Sequence, residues 1–128
     1  MGTQMITDEF MNSVSFKVNG CAFAVANQLR AGYLEKVYEN ALVYEMRKQG
    51  LDVAQQVPLD VLYDGVVVGR YVADIIVENC ILVELKAAEA ISDAHVAQAL
   101  NYLTTTGLPL CLILNFGAPK LGIKRVRL

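Results

Sequence analysis

Asp74, Glu84 and Lys86 stand inside two segments that are otherwise apolar, Tyr71–Val77 and Cys80–Lys86. A charge set among apolar strand residues costs free energy unless it is paired, hydrated or bound to a metal, so chemistry is to be sought at these three. Alternation along a strand puts Glu84 and Lys86 on one face. Whether Asp74 joins them depends on the connection between the segments. A tight two-residue turn at Glu78 and Asn79 would pair Val77 with Cys80 and leave Asp74 opposite Val83, on the wrong face. A three-residue loop, Glu78–Cys80, or a bulge nearby, sets Asp74 across from Glu84 and Val72 across from Lys86, and this second register is the one expected. Two carboxylates roughly 5 Å apart at Cβ suit a hard divalent cation such as Mg²⁺, with the lysine ammonium beside it.

The elements that must position these groups can be read from periodicity. Residues 1–12 read as an irregular segment, followed by a single domain over 13–128. A helix begins at Asn12 or Ser13 on the stripe Val18, Ala22, Val25 and Leu29, and Arg30-Ala31-Gly32 breaks it. A second helix runs from about Tyr33 to Gln49, with Leu34, Val37, Tyr38, Ala41 and Leu42 facing the core and Gly50 as its cap. Glu35, in its first turn, complements the helix dipole; Tyr38 either reaches toward the site or packs. Asp52–Tyr63 and Val66–Val77 read as strands joined by Asp64-Gly65, a strong hairpin signal. Pro58 places the first of them at an edge or a bend, and of Gln55 and Gln56 before it, either one faces the site or both face solvent.

A third helix spans about Ser92 to Thr105, capped by Ser92 or Asp93 and ended by Gly107-Leu108-Pro109. Its core stripe is Val96, Leu100 and Leu103, and beside it runs a polar stripe of His95, Gln98 and Tyr102. Leu110–Leu114 reads as a buried strand and Gly122–Leu128 as a last one, so strand, helix and strand make a right-handed crossover. The fold class expected is α/β: helices, a three-strand meander, a helix and two strands, with a mixed central sheet flanked by helices.

Asp74, nine intervening residues and Glu84-Leu85-Lys86 resemble the signature of the PD-(D/E)XK nuclease superfamily. Gly32-Tyr33-Leu34-Glu35-Lys36-Val37-Tyr38 resembles the motif that names the GxxExxY protein family within it. The likeness continues through Gln56-Val57-Pro58-Leu59, Tyr71-Val72-Ala73-Asp74, His95, Gln98, Asn101-Tyr102-Leu103 and Leu114-Asn115-Phe116-Gly117, and so covers the chain from about Val18 onward. The resemblance implies a restriction-endonuclease-like core and metal-dependent hydrolysis of phosphodiester bonds in nucleic acid. In that reading Asp74 and Glu84 ligate Mg²⁺ or Mn²⁺, helped by the Leu85 carbonyl and by Glu35 directly or through water; Glu39, one turn on, either shares that task or is exposed. Lys86 orients the attacking water or neutralises developing charge. Gln98 and Tyr102 resemble the glutamine and tyrosine that follow the ExK strand in RecB-like members, where they orient substrate and active site, and His95 and Tyr38 join them on the substrate side. The family's usual Glu-Val-His segment and Gly-Pro-Gly turn are replaced here by Ala24-Val25-Ala26 and Arg30-Ala31-Gly32, which alters the turn that aims Glu35.

A chain of 128 residues suits one domain. At 55% hydrophobic residues, either the strands are buried on both faces or a partner subunit covers apolar surface, which keeps a homodimer open. A net charge of −2 speaks against a broad nonspecific nucleic-acid surface. Lys120, Lys124, Arg125 and Arg127 gather near the end, however, as a local phosphate-binding edge or a solvated tail. No apolar run approaches the roughly 18 residues that cross a bilayer, and Met1–Phe10 has no basic start followed by an apolar core. Cys21, Cys80 and Cys111 read as reduced, buried thiols. A cytoplasmic protein with a nucleic-acid partner and no membrane is expected. The rival from another class is a catalytically inactive nuclease-fold module that binds or assembles through a protein partner or dimer; a third is hydrolysis of a small phosphorylated metabolite.

Overall fold

A computed structural model describes residues 6–128. In chain order the elements are α1 (Asp8–Leu29), α2 (Glu35–Lys48), β1 (Val53–Tyr63), β2 (Val66–Val77), β3 (Ile81–Lys86), α3 (Asp93–Thr106), β4 (Leu110–Asn115) and β5 (Gly122–Val126). The strands lie in one sheet in the order β1-β2-β3-β4-β5. The β3–β4 pair is parallel and the other three are antiparallel. This is an α/β fold with a mixed central sheet flanked by helices, and its topology is restriction-endonuclease-like.

Of the segment 1–12 expected to be irregular, residues 1–5 lie outside the described residues, and from Asp8 the chain is helical. The cause is a complete helix start. Thr7 Oγ1 accepts from the Phe10 amide at 3.0 Å, and Asp8 and Glu9 put negative charge in the first turn. Met11 and Val14 extend the buried stripe of Val18, Ala22 and Val25 toward that end. α3 begins as read, on Ser92, through a capping box in which His95 is the reciprocal partner.

The sheet separates two apolar layers. On one face α1 and α2 pack against Val53, Ile75, Val77, Ile81, Val83, Leu85, Leu112 and Leu114. On the other, Ala99, Tyr102 and Leu103 of α3 meet Leu59, Ala73, Leu82, Cys111 and Ile113. With a layer on each side, β4 is buried along its whole length and β3 at all but Lys86, which accounts for their unbroken apolar sequences. The three cysteines are free and buried. Among the described residues no helix is long and apolar enough to cross a membrane.

Two turns set the register. Asp64 and Gly65 both take positive φ, +53° and +76°, which closes the β1–β2 hairpin in the sense that matches strand twist. At the next connection Glu78 and Asn79 are also left-handed, with φ of 54° and 48°, and the Cys80 amide donates to the Val77 carbonyl at 3.0 Å. Val77 then pairs with Ile81, Ile76 with Leu82 and Ile75 with Val83. The loop therefore comprises Glu78–Cys80, the longer of the two alternatives.

Candidate active site

Continued by one pair, that register sets Asp74 opposite Glu84, and the contacts agree. The Asp74 amide donates to Glu84 Oε1 at 3.3 Å, and the Leu85 amide donates to Asp74 Oδ2 at 2.9 Å. Glu84 shares the face of Leu82, so the pair opens on the α3 side of the sheet. Two residues on, Lys86 projects to the same side, where its Nζ donates to Gln98 Oε1 of α3 at 2.9 Å. One turn along α3, Tyr102 is buried, its ring 5.5 Å from that of Tyr71 on β2.

Burial and like charge dominate the electrostatics. Glu84 is 5% exposed; desolvation first, then the neighbouring charge of Asp74 and the hydrogen bond between the two carboxyls, push its pKa up to about 9, against the lowering effects of Asp74's backbone amide and of Lys86. Without a cation, then, Glu84 holds a proton at neutral pH. Tyr102 is also raised, by burial and then by Glu84, Asp74 and Tyr71, so its hydroxyl stays neutral. Cys111, on the neighbouring strand, is raised by burial and by Glu84, and is an unreactive thiol.

This donor set fits a divalent cation: a buried Glu84 that keeps its proton beside half-buried Asp74 is what a cation would relieve by replacing that proton. Mg²⁺ in particular takes one or two carboxylates and fills its remaining positions with water and phosphate oxygens. A third acidic side chain does not join. Glu35, at the first position of α2, is exposed, and among the described residues no group of three or more histidine, cysteine, aspartate or glutamate side chains is arranged to hold a metal. Glu35 stands in the first turn of α2, where its charge complements the helix dipole.

The buried carboxylate of α2 is Glu39. Its Oε2 accepts from Lys36 Nζ at 2.9 Å and also from Gln55 Nε2, and its Oε1 accepts from Gln56 Nε2 at 2.9 Å. Successive strand residues ordinarily point to opposite faces. Gln55 and Gln56 reach one carboxylate because Gln56 takes a left-handed φ of 56° inside β1. The two adjacent glutamines before Pro58 were the available sequence signal.

Tyr38 and His95 both make contacts within the fold. Tyr38 is 1% exposed and stacks on Phe116 with ring centroids 4.7 Å apart. Its hydroxyl donates to the Arg30 carbonyl at 2.5 Å and accepts from the Tyr33 amide at 3.1 Å, which fastens the α1–α2 connection. His95 Nδ1 accepts from the Ser92 amide at 3.1 Å while the His95 amide donates to Ser92 Oγ at 3.2 Å. Its imidazole caps α3.

Asn115 is a supporting residue that the motif alone did not explain. It pairs with Lys86 across β3–β4, and its buried amide clamps the loop that follows β3. Oδ1 accepts from the amides of Ala88 at 3.0 Å and Gly117 at 3.1 Å, and Nδ2 donates to the Ala88 carbonyl at 2.9 Å. A Cβ on Gly117 would lie 2.3 Å from the Ala88 nitrogen, so only glycine permits this approach.

A strand-borne Asp facing a Glu-x-Lys strand, on a mixed sheet between helical layers, defines a nuclease-fold protein of the restriction-endonuclease-like class. The chain matches the family model of the PD-(D/E)XK nuclease superfamily over residues 12–126, and it belongs to that superfamily. No curated protein and no solved structure matches it.

Proposed function

We propose that this protein is a metal-dependent nuclease of the GxxExxY type that hydrolyses phosphodiester bonds in nucleic acid in the cytoplasm. The observation that carries the reading is the placement of Asp74 opposite Glu84, with Lys86 held by Gln98 on the same face. Asp74, Glu84 and the Leu85 carbonyl would hold Mg²⁺ or Mn²⁺. Such a cation, when bound, polarises a phosphoryl oxygen and lowers the pKa of a bound water. Lys86, with its ammonium fixed on Gln98, stabilises charge that develops on the phosphate and orients the incoming water. Tyr102, a neutral buried hydroxyl, donates a hydrogen bond to a substrate oxygen without adding negative charge to the site.

The test is a cleavage screen over single- and double-stranded DNA and RNA with Mg²⁺, Mn²⁺ or chelator, comparing wild type with Lys86→Ala and Asp74→Ala. Metal-dependent cleavage by wild type and a loss of about 10²-fold or more in both variants is expected. Equal activity in the variants would remove the assignment.

One observation favours the assembly reading. The outer half of the β1–β2 hairpin exposes Leu62, Tyr63, Val66, Val67, Val68 and Val72. If wild type cleaves no polymer and no phosphorylated metabolite and binds no divalent cation in calorimetry, this reading replaces hydrolysis.

A further inference from the structure

The outward face of α1 is not that of an ordinary helix in water. Between Glu9 and Arg30 its exposed positions carry a single charge, Lys17, where charged residues usually line the side turned to solvent. Phe16 is 80% exposed and Phe23 49%, although the buried stripe of the helix lies on its opposite side. Gly20 stands between the two rings. A glycine in mid-helix costs stability relative to alanine, and nothing within the chain requires this one: its backbone is ordinary helix, and a Cβ there would meet no atom within 4 Å. An outward glycine with no internal use is what the close approach of a second backbone needs.

The same face is self-complementary. At roughly 3.6 residues per turn, Phe16 and Phe23 flank Gly20 on one side, while Ala24 and Lys17 flank it on the other at mirrored distances along the helix. A second α1 laid antiparallel on the first, with the twofold axis at Gly20, therefore sets Phe16 against Phe23 of the second copy and Lys17 against its Ala24. Ala24 lines two clefts of about 230 and 330 Å³ between α1 and α2, and Glu45 lines both. The incoming lysine thus arrives beside a carboxylate whose ion-pair partner in its own chain is Lys48, at 3.3 Å. Among the described residues Lys17 has no ion-pair partner of its own.

We propose that this face joins two copies of the chain, in an antiparallel α1–α1 contact centred on Gly20 with Phe16 and Phe23 of both copies as its aromatic core. Phe16, Phe23 and the adjoining Tyr44 of α2 expose on the order of 400 Å² per copy, about half of the roughly 800 Å² that each side of a standard interface buries. The contact is therefore at the small end of specific interfaces, with a Kd expected in the micromolar range. It lies on the α1–α2 layer, across the sheet from the side on which Asp74 and Glu84 open, so both acid pairs of the dimer stay uncovered.

The test is sedimentation equilibrium of the full chain across the micromolar range, without metal or substrate. Wild type is expected to pass from monomer to dimer. Phe16→Glu should weaken the dimer on the order of tenfold or more and leave the Tm of the dilute monomer nearly unchanged, because the side chain is exposed. Gly20→Gln should weaken it as much while raising that Tm by roughly 1–5 °C, since glutamine is the better helix former; a lost interface is thereby separated from a damaged fold. Val68→Lys, on the exposed β1–β2 hairpin, should dimerise as wild type. Because neither metal nor substrate is present, failure of hydrolysis leaves these results intact. The proposal is overturned if wild type stays monomeric throughout, if Phe16→Glu or Gly20→Gln dimerises with wild-type affinity, if Gly20→Gln melts below wild type, or if Val68→Lys abolishes the dimer.

Discussion

Glu84 is the residue on which stability and the proposed activity meet. The unfolded chain gives up this proton near the ordinary value of 4.5, whereas the folded chain keeps it until about 9. Between those values the unfolded state binds fewer protons, so stability falls as pH rises, fully present below 4.5 and lost by about 9. Glu84→Gln keeps the shape and removes the titration. In chelator its unfolding free energy should exceed that of wild type at pH 8 by on the order of a few kcal/mol, with the two proteins converging toward pH 4.5; denaturant melts across that range check it. The same substitution should abolish cation binding, since the second ligand can no longer ionise. Gln98 acts one step away, through Lys86. Gln98→Ala leaves the ammonium in place but unfixed, so kcat for cleavage should drop on the order of tenfold with KM changed less, whereas Lys86→Ala should cost about 10²-fold or more.

Among the elements, β3 and its two connections carry the geometry. The register that brings Asp74 beside Glu84 was legible because a buried face tolerates one register: a slip by one residue would turn Glu84 into the α1–α2 layer and Val83 out of it. Turn residues marked the β1–β2 hairpin and the ends of α3 for the same local reason. The α2 carboxylate was not legible. Glu39 is the buried one and meets Gln55 and Gln56 of β1 together, which requires a left-handed Gln56, a conformation its residue type does not announce. Nor did Asn12 or Ser13 mark the start of α1, because Thr7 supplies an earlier cap. The tight approach of Gly117 to the loop after β3 likewise appears only in three dimensions. Gly117→Ala would drive a methyl into the Ala87–Ala88 backbone and should destabilise the fold by about 1–3 kcal/mol in denaturant melts. Because that loop follows Lys86 directly, cleavage should weaken in parallel.

At the scale of the whole molecule, the sheet separates two tasks. The α1–α2 layer holds the larger apolar cluster, while the α3 layer closes over the acid pair, so the site is one wall of a core. Asp74 sits on β2, Glu84 and Lys86 on β3, and Gln98 and Tyr102 on α3, which means that a ligand gripping the first pair ties together elements from both edges of the smaller core. A cation that binds only the folded arrangement must stabilise the entire chain by mass action, about 2.7 kcal/mol at a hundredfold excess over Kd. It also offsets the burial and the neighbouring Asp74 charge that hold Glu84 protonated, so its effect should grow with pH as the competing proton becomes easier to displace. The expected outcome is a Tm that rises with Mg²⁺ or Mn²⁺ by several degrees at pH 8 and by less at pH 6, measured calorimetrically against chelator. Asp74→Ala should show no rise at either pH, because a single buried carboxyl has no partner with which to hold the ion. A wild-type Tm indifferent to both metals at both pH values would count against metal-dependent hydrolysis at Asp74 and Glu84.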